Sequence, residues 1–557
     1  MRHAIAVGLT CWLAAATAWA QADLVLRGGP IHTAEDAAPT AEAVAVDAGR
    51  IVYVGAASGA EALIGPATQV IELNGAALYP GFTDAHAHLL GIGLREMTLN
   101  LEGVASLAAL VDAVRARVAG TAPGAVIAGR GWIETHWPEA RFPTAADLDA
   151  AAPDNPVILT RADGHALVAN SAALARAGID AATPAPAGGD ILRDAAGRPT
   201  GMLIDKAMDL LAGVAPQPTP ARRQAAFETG AGVYARYGWT GVHNMSVDPA
   251  DLGVIALLAD QGRLPLRVYN SVDRAGADAL LASGAHTTGS GRVVTRAIKL
   301  YADGALGSRG AALFEPYGDA DTTGLLLIGR DEILPILTTA LRRGIQVNTH
   351  AIGDRANRLV LDWYGEALAA VPAAERAIAE PRWRIEHAQV VHADDHARFA
   401  ELGVIASMQP SHAISDLHFA PDRLGLDSGR LAGAYAWASL LEAGAIIAGG
   451  SDAPVERGDP AIEFYAAVAR RDLTGYSGPG WHPDQAVDRQ TALKMFTLWP
   501  AYAAFQEDAL GSIAVGKRAD FTALSHDIMA VPERDILQAR AVLTVVDGAI
   551  VHRADGW

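Results

Sequence analysis

A chain of 557 residues, 51% of them hydrophobic, can bury a large core and has room for three to four units of about 150 residues, or one large domain with satellites. Its 44 Lys+Arg against 62 Asp+Glu leave a formal net charge of -18. That balance opposes any sequence-independent attraction to phosphate backbones or anionic lipid, so nucleic acid and membrane surfaces are excluded as partners.

Residues 1–20, MRHAIAVGLTCWLAAATAWA, set Arg2 ahead of an apolar run and end on the small-x-small triplet Ala18-Trp19-Ala20, the pattern of a secretory leader cut before Gln21. A buried N-terminal helix is the competing reading. The only cysteine, Cys11, lies inside this leader, so the mature chain is expected to stand on its core and bound ions without disulfides. No later run reaches the 18 apolar residues of a spanning helix. A periplasmic or secreted chain, free of the membrane after cleavage, is expected.

From 22 to 79 the chain runs through short alternating or β-branched stretches, "ADLVLRGG", "AVAVDAGRIVYVGA" and "TQVIELNGAALYPG", which read as strands and hairpins. The far end, from 508 to 557, repeats the pattern in "GKRADFTALS" and "RAVLTVVDGAIVHR", with an Asp547-Gly548 hairpin turn. Neither end can bury a face alone. The two together are expected to form one composite β-sandwich.

Between them, residues 80–507 alternate β-like runs with Ala/Leu-rich stretches of helical period. Counting from "PGFTDAHAH", the further strand candidates are "WTGVHNMS", "LPLRVYNSV", "RAIKLYADG", "IQVNTHAIG", "RWRIEHAQ", "GVIASMQPS" and "AIIAGGSDAP". Eight strands, with helices at 331–343 and 430–443 among the later crossovers, predict an α/β fold, a distorted (β/α)8 barrel. About 150 residues separate the first strand from the second, too many for one crossover or a structureless loop. An α+β insertion at about 120–230 is therefore expected, with a β-hairpin at 188–203.

His86 and His88 stand one residue apart at the end of the first strand candidate, so they share a face where barrel enzymes keep their chemistry. Seventeen histidines make one such pair unremarkable on its own. His350 closes "IQVNTH", His387 closes "RWRIEH" and Asp452 follows "IIAGGS", and imidazole with carboxylate suits zinc and its neighbours. Each has a structural reading as a capping Asp or a hydrogen-bonded core histidine, but five at the same end of five strands favour a metal site. Lys299 ends the fourth strand candidate, where an ammonium would be repelled by bound cations. Burial disfavours the charged amine, and a neutral one reacts with carbon dioxide to give a carbamate. An ion pair with Asp303 is the alternative.

The motifs "DAHAH", "IKLYADGALGSRGAAL", "NTHAIGDRA", "RIEHAQ", "SMQPSHAISD", "GGSDAPV" and "GSIAVGKRADF" together resemble the amidohydrolase superfamily, in the amidohydrolase 3 branch that includes the N-substituted formamide deformylases. The resemblance runs from about 22 to 553, and "GRGWIETHWPEARFPTAADLD" and "TRADGHALVANSAAL" match that branch's insertion. It implies a metal-dependent hydrolase of carbon-nitrogen bonds other than peptide bonds, holding one or two divalent ions, Zn2+ foremost. By resemblance His86 and His88 bind the first metal, the Lys299 carbamate bridges, His350 and His387 bind the second, and Asp452 touches the first metal and serves as general base and acid. His165 or His412 is expected to donate to the oxyanion. Trp132, Arg309, Gln409 and His412 are the expected substrate contacts. Trp137 and Trp481 are further wall candidates, with core or interface packing the competing reading for all three tryptophans; His165 and His412 are alternatively loop histidines without such a role, Arg309 alternatively shapes its loop, and His243 is expected behind the ligands.

The expected substrate is a small-molecule linear amide or N-substituted formamide. A cyclic amide or an amino-heterocycle would use the same constellation, and an exported metal- or solute-binding protein without chemistry is a reading from another class. A serine hydrolase is disfavoured because no G-x-S-x-G occurs. The oligomeric state, homodimer included, is left open.

Overall fold

The eight runs read as strands form one parallel sheet. Its members are β1 Phe82–Ala87, β2 Trp239–Val247, β3 Arg267–Val272, β4 Val293–Tyr301, β5 Gln346–Ala351, β6 Arg384–His387, β7 Ile405–Met408 and β8 Ile446–Gly449, hydrogen-bonded in the order β8-β7-β6-β5-β4-β3-β2-β1. The structure is a computed structural model that describes residues 21–557 except 140, 163, 187, 215–217, 427 and 479. The leader and Cys11 lie outside the described residues. No helix among the described residues is long and apolar enough to cross a membrane.

Side chains of β3 and β5 are buried along their whole length, as expected for parallel strands covered by helices on one side and a filled barrel on the other. Between β8 and β1 the ladder gives way to bonds from the following loop: Asp452 N donates to His86 O at 2.6 Å and His88 N to Ala453 O at 2.8 Å. This seam requires Gly450, where a Cβ would meet His86 N at 2.5 Å. Asp84 seals it from below, accepting from Ser451 N at 3.0 Å, Ser451 Oγ at 2.5 Å and Tyr234 Oη at 2.9 Å.

The helix expected at 331–343 spans Arg330–Arg343 and buries Ile333, Ile336, Leu337, Ala340 and Leu341, the face of an amphipathic helix. The one expected at 430–443 is two short helices, Gly429–Ala432 and Trp437–Glu442. Residues 433–435 leave helical geometry to pair with the segment after β6: Val391 N donates to Gly433 O at 3.0 Å and Tyr435 N to Gln389 O at 2.6 Å.

The insertion begins earlier than position 120. Its six-stranded sheet runs from the hairpin Gly189–Arg193/Pro199–Asp205 through Ala166–Ala169, Val157–Arg161 and Ile127–Trp132 to Leu99–Asn100. Helices Leu89–Met97 and Pro220–Tyr237 lead out to it and back. They pack so closely that a Cβ on Gly93 would lie 1.8 Å from Ala226 O.

Both termini join in one eight-stranded sheet. Its two terminal segments are joined through Ala77–Pro80, which pairs in parallel with Leu24–His32 and antiparallel with Phe521–Leu524. One face carries Leu24, Leu26, Val44, Val46, Phe521 and Leu543, the other Val25, Ala43 and Ala45. The sheet docks at the N-terminal end of the barrel strands, where Arg267, the first residue of β3, donates to Asp520 at 2.6 and 3.1 Å and pairs with Asp547 in the hairpin turn. The opposite end of the barrel stays open for chemistry.

Candidate metal centre and active-site cavity

His86, Lys299, His350, His387 and Asp452 converge at the C-terminal end of the barrel, with His88 beside them. Lys299 Nζ lies 3.3 Å from His86 Nε2. The ring of His387 stands 4.8 Å from that of His86 and 4.5 Å from that of His350. Asp452 Oδ1 is 3.5 Å from His86 Nε2 and 3.1 Å from His88 Nε2. Ligand atoms of His86, His387 and Asp452 fall within 4.8 Å of one another. His387 and Asp452 have φ values of 76° and 58°, a left-handed backbone that costs a non-glycine residue free energy and concentrates at functional sites.

The far nitrogens of three imidazoles decide what the near ones can do. His86 Nδ1 is 2.5 Å from Glu386 Oε2, His88 Nδ1 is 3.2 Å from Met245 O, and His387 Nδ1 is 2.9 Å from Gln409 Oε1. Gln409 is oriented by its own Nε2, which donates to Ser407 O at 3.2 Å. Each Nδ1 therefore carries a proton, and a ring held this way, when neutral, presents its Nε2 lone pair toward the barrel axis, where that of His86 meets Lys299 Nζ. Burial, then Lys299, pushes His86 down to about 4. Burial, then His350, pushes His387 well below the ordinary histidine value. Neutral imidazole is the form that binds metals.

Those lone pairs at His86 and His88 face Asp452, whose Oδ1 is buried and accepts no hydrogen bond. Lone pairs against a carboxylate repel unless a cation stands between them, so the donor set fits a divalent ion with nitrogen and oxygen ligands.

Behind His86 lies a buried charge stack that the sequence reading passed over. Arg384 Nε is 2.7 Å from Glu386 Oε1, and its other nitrogens donate to Ala85 O at 2.5 Å, Ser407 Oγ at 2.7 Å and His243 Nδ1 at 2.8 Å. Burial pushes Glu386 up, but Arg384 and His86 outweigh it and hold the carboxyl at about 2. The signal was available, since Arg384 and Glu386 are i and i+2 on one strand and share its inner face. His243 sits in this layer, away from the metal-facing nitrogens.

A cavity of about 740 Å3 opens above the centre, lined by His88, Lys299, His350, His387, His412 and Asp452. His165, paired with Asp205 at 2.8 Å, reaches it from the insertion. Ile133, Leu306, Ile414 and Phe419 give it apolar walls, and Glu456 an acidic one.

Several expected substrate contacts lie elsewhere. Trp132 and Trp137 point into the insertion's core, their Nε1 groups donating to Leu159 O at 2.9 Å and Val104 O at 2.8 Å. Trp481 packs on Tyr435. Arg309 is held by Asp319 at 2.8 and 3.0 Å and shapes its loop. Gln409 orients His387 and does not line the cavity. Asp303 does not pair with Lys299; it accepts from Ala312 N, Ile352 N and Gly353 N at 2.8–2.9 Å. Long polar or aromatic side chains near a site in sequence are drawn to whichever partner satisfies them when buried.

The amidohydrolase family model matches residues 69–552. The chain belongs to the amidohydrolase family. It is a metal-dependent hydrolase of carbon-nitrogen bonds. A Bacillus subtilis relative, YtcJ, is 34% identical over 537 residues, covering 95% of this chain and 99% of its own. The N-substituted formamide deformylase of Arthrobacter pascens is 28% identical over 553 residues, 96% of this chain and 99% of its own. An uncharacterized metal-dependent hydrolase from Pyrococcus horikoshii OT3 superposes with a TM-score of 0.74 at 26% identity, over 92% of this amidohydrolase and 99% of that chain.

Two predictions come from the charges around the centre. Glu386→Gln weakens the acceptor that orients His86 and should lower divalent-metal affinity about 10- to 100-fold, read by competition with a chelating dye on folded protein. Glu456 is pushed up to about 8 by burial, which outweighs its hydrogen bond from Ser415, with Asp416 and Glu102 adding to the rise. A carboxyl raised in the folded state contributes stability in full below its ordinary value of 4.5 and loses it as pH rises through about 8. Glu456→Gln cannot ionise, so its stability relative to wild type should improve from pH 5 to pH 9 in denaturant midpoints. A difference independent of pH would contradict this.

Proposed function

We propose that this amidohydrolase hydrolyses a linear amide or N-substituted formamide, with Asp452 as the group that moves the proton. The observation that carries the reading is the set of imidazole Nε2 atoms of His86 and His88 facing an unbonded Asp452 oxygen. Similarity to the Arthrobacter pascens deformylase supports the substrate class. The cavity of about 740 Å3 far exceeds a formyl group, and its apolar walls suit the substituent on the nitrogen.

A divalent ion, foremost zinc, held by His86, His88, His387 and Asp452 with His350 alongside, supplies when bound a Lewis acid that polarises the carbonyl and makes water acidic near neutral pH. Asp452 takes the proton from the attacking water. The same carboxyl returns it to the leaving nitrogen, because an amine departs poorly as an anion. His412 and His165 are the donors available to the carbonyl oxygen as negative charge develops there. Lys299 carries a carbamate in this reading: its neutral Nζ adds to carbon dioxide and loses a proton, giving an anion where an ammonium would compete for the lone pair of His86. Residues 1–20 supply the export signal.

Assayed on N-acyl amines, N-substituted formamides and cyclic imides, the wild type should act on linear substrates and lose activity to chelators. Asp452→Asn should reduce kcat at least about 100-fold while most metal is retained. Turnover confined to cyclic substrates, or an undiminished variant, would end this reading. Protein equilibrated with 13C-labelled bicarbonate should show a carbamate carbon resonance that Lys299→Ala removes. The mature chain from the periplasm or medium should begin at Gln21.

A further inference from the structure

Four imidazoles surround Asp452, and one differs from the rest. His86, His88 and His387 each give their Nδ1 proton to an oxygen acceptor. His412 Nδ1 instead lies 3.0 Å from Gln389 Nε2, the amide nitrogen of a side chain whose Oε1 has no partner. An NH2 group can only donate. His412 Nδ1 must accept, so its proton sits on Nε2.

The other side of the ring agrees. His412 Nε2 is buried, has no hydrogen-bond partner and lies 3.8 Å from Asp452 Oδ2. An N–H is attracted to a carboxylate, whereas a lone pair is repelled by it, so the amide orientation that donates to Nδ1 is also the electrostatically favoured one. The ring is held in this attitude by stacking on His387, with centroids 5.9 Å apart and planes 16° apart.

Gln389 is itself pinned from both sides of the chain. Its carbonyl accepts from Tyr435 N at 2.6 Å, the following Val390 N donates to Ile352 O at 2.9 Å, and Val390 bridges Ala434. This pairing is what splits the helix expected at 430–443. Both Gln389 and His412 line the cavity.

We infer that Gln389 is a positioning residue that holds His412 as the Nε2–H tautomer, making it a hydrogen-bond donor toward the cavity and keeping it from serving as a metal ligand. Two glutamines thus sort two stacked histidines by opposite polarity: Gln409 offers oxygen to His387 and bares its Nε2 lone pair, while Gln389 offers nitrogen to His412 and protonates its Nε2. The inference rests on the amidohydrolase reading for the donor's purpose, though the tautomer stands by itself.

Long-range 1H-15N spectra of 15N-histidine-labelled, zinc-loaded protein test it, with the His412 signals assigned by their loss in His412→Ala. A protonated Nε2 and an unprotonated Nδ1 are expected; a protonated Nδ1 overturns the inference. Gln389→Leu removes the donor and should lower kcat about 10-fold or more with KM within about twofold and metal content unchanged, and it should add little to the roughly 100-fold loss expected in His412→Ala. Wild-type kcat in Gln389→Leu beside an impaired His412→Ala overturns it. If the tautomer is as stated but His412→Ala keeps full kcat, the donor role in the proposed reaction fails and the positioning of His412 by Gln389 does not.

Discussion

Uncompensated negative potential at the barrel axis is the constraint from which the rest follows. Imidazole nitrogens and the Asp452 carboxylate are brought together at the floor of the cavity, with His86, His387 and Asp452 buried. A bound cation would relieve that repulsion, and its free energy of binding would add to that of folding. Lys299, buried and 3.3 Å from His86, is an amine near enough to complicate that balance. Its conversion to an anion would make it a partner of the ion instead of a rival.

The surrounding structure works to keep this centre in place. The seam between β8 and β1 is closed by Asp452 N and Ala453 O themselves, so the loop that carries Asp452 is also the barrel's last joint. Asp84 sits directly beneath, raised to about 6 by burial despite the bonds it accepts from Ser451 and Tyr234. Arg384 and Glu386 form a second layer, balanced charge against charge, which fixes the proton of His86. Ligands whose own partners are fixed lose little freedom when an ion arrives.

Placement of the two accessory units divides the labour. The terminal sheet is clamped through Arg267, Asp520 and Asp547 to the end of the barrel where strands begin, which leaves the end where they finish uncovered. The insertion leaves from that finishing end, after His88, and returns with Arg130, Arg161 and His165 on the cavity wall. The cavity wall is thus built from loops and the insertion, while His86, Lys299, His350 and His387 stand on the strands.

Local sequence by itself determined the eight barrel strands, the hairpin turns and the positions of His86, His88, Lys299, His350, His387 and Asp452 at strand ends. Strand period and strand termini are written in neighbouring residues. Local pattern could not say that Trp132 would turn into the insertion's core, that Gln409 would serve His387, or that the two terminal β segments would make one continuous sheet. Nor could it show which nitrogen of each histidine carries the proton. Those outcomes depend on partners brought close by folding, Glu386 to His86 across 300 residues and Gln389 to His412 across 23. A hydrogen bond is decided by distances of a few ångströms, and only the tertiary structure sets them.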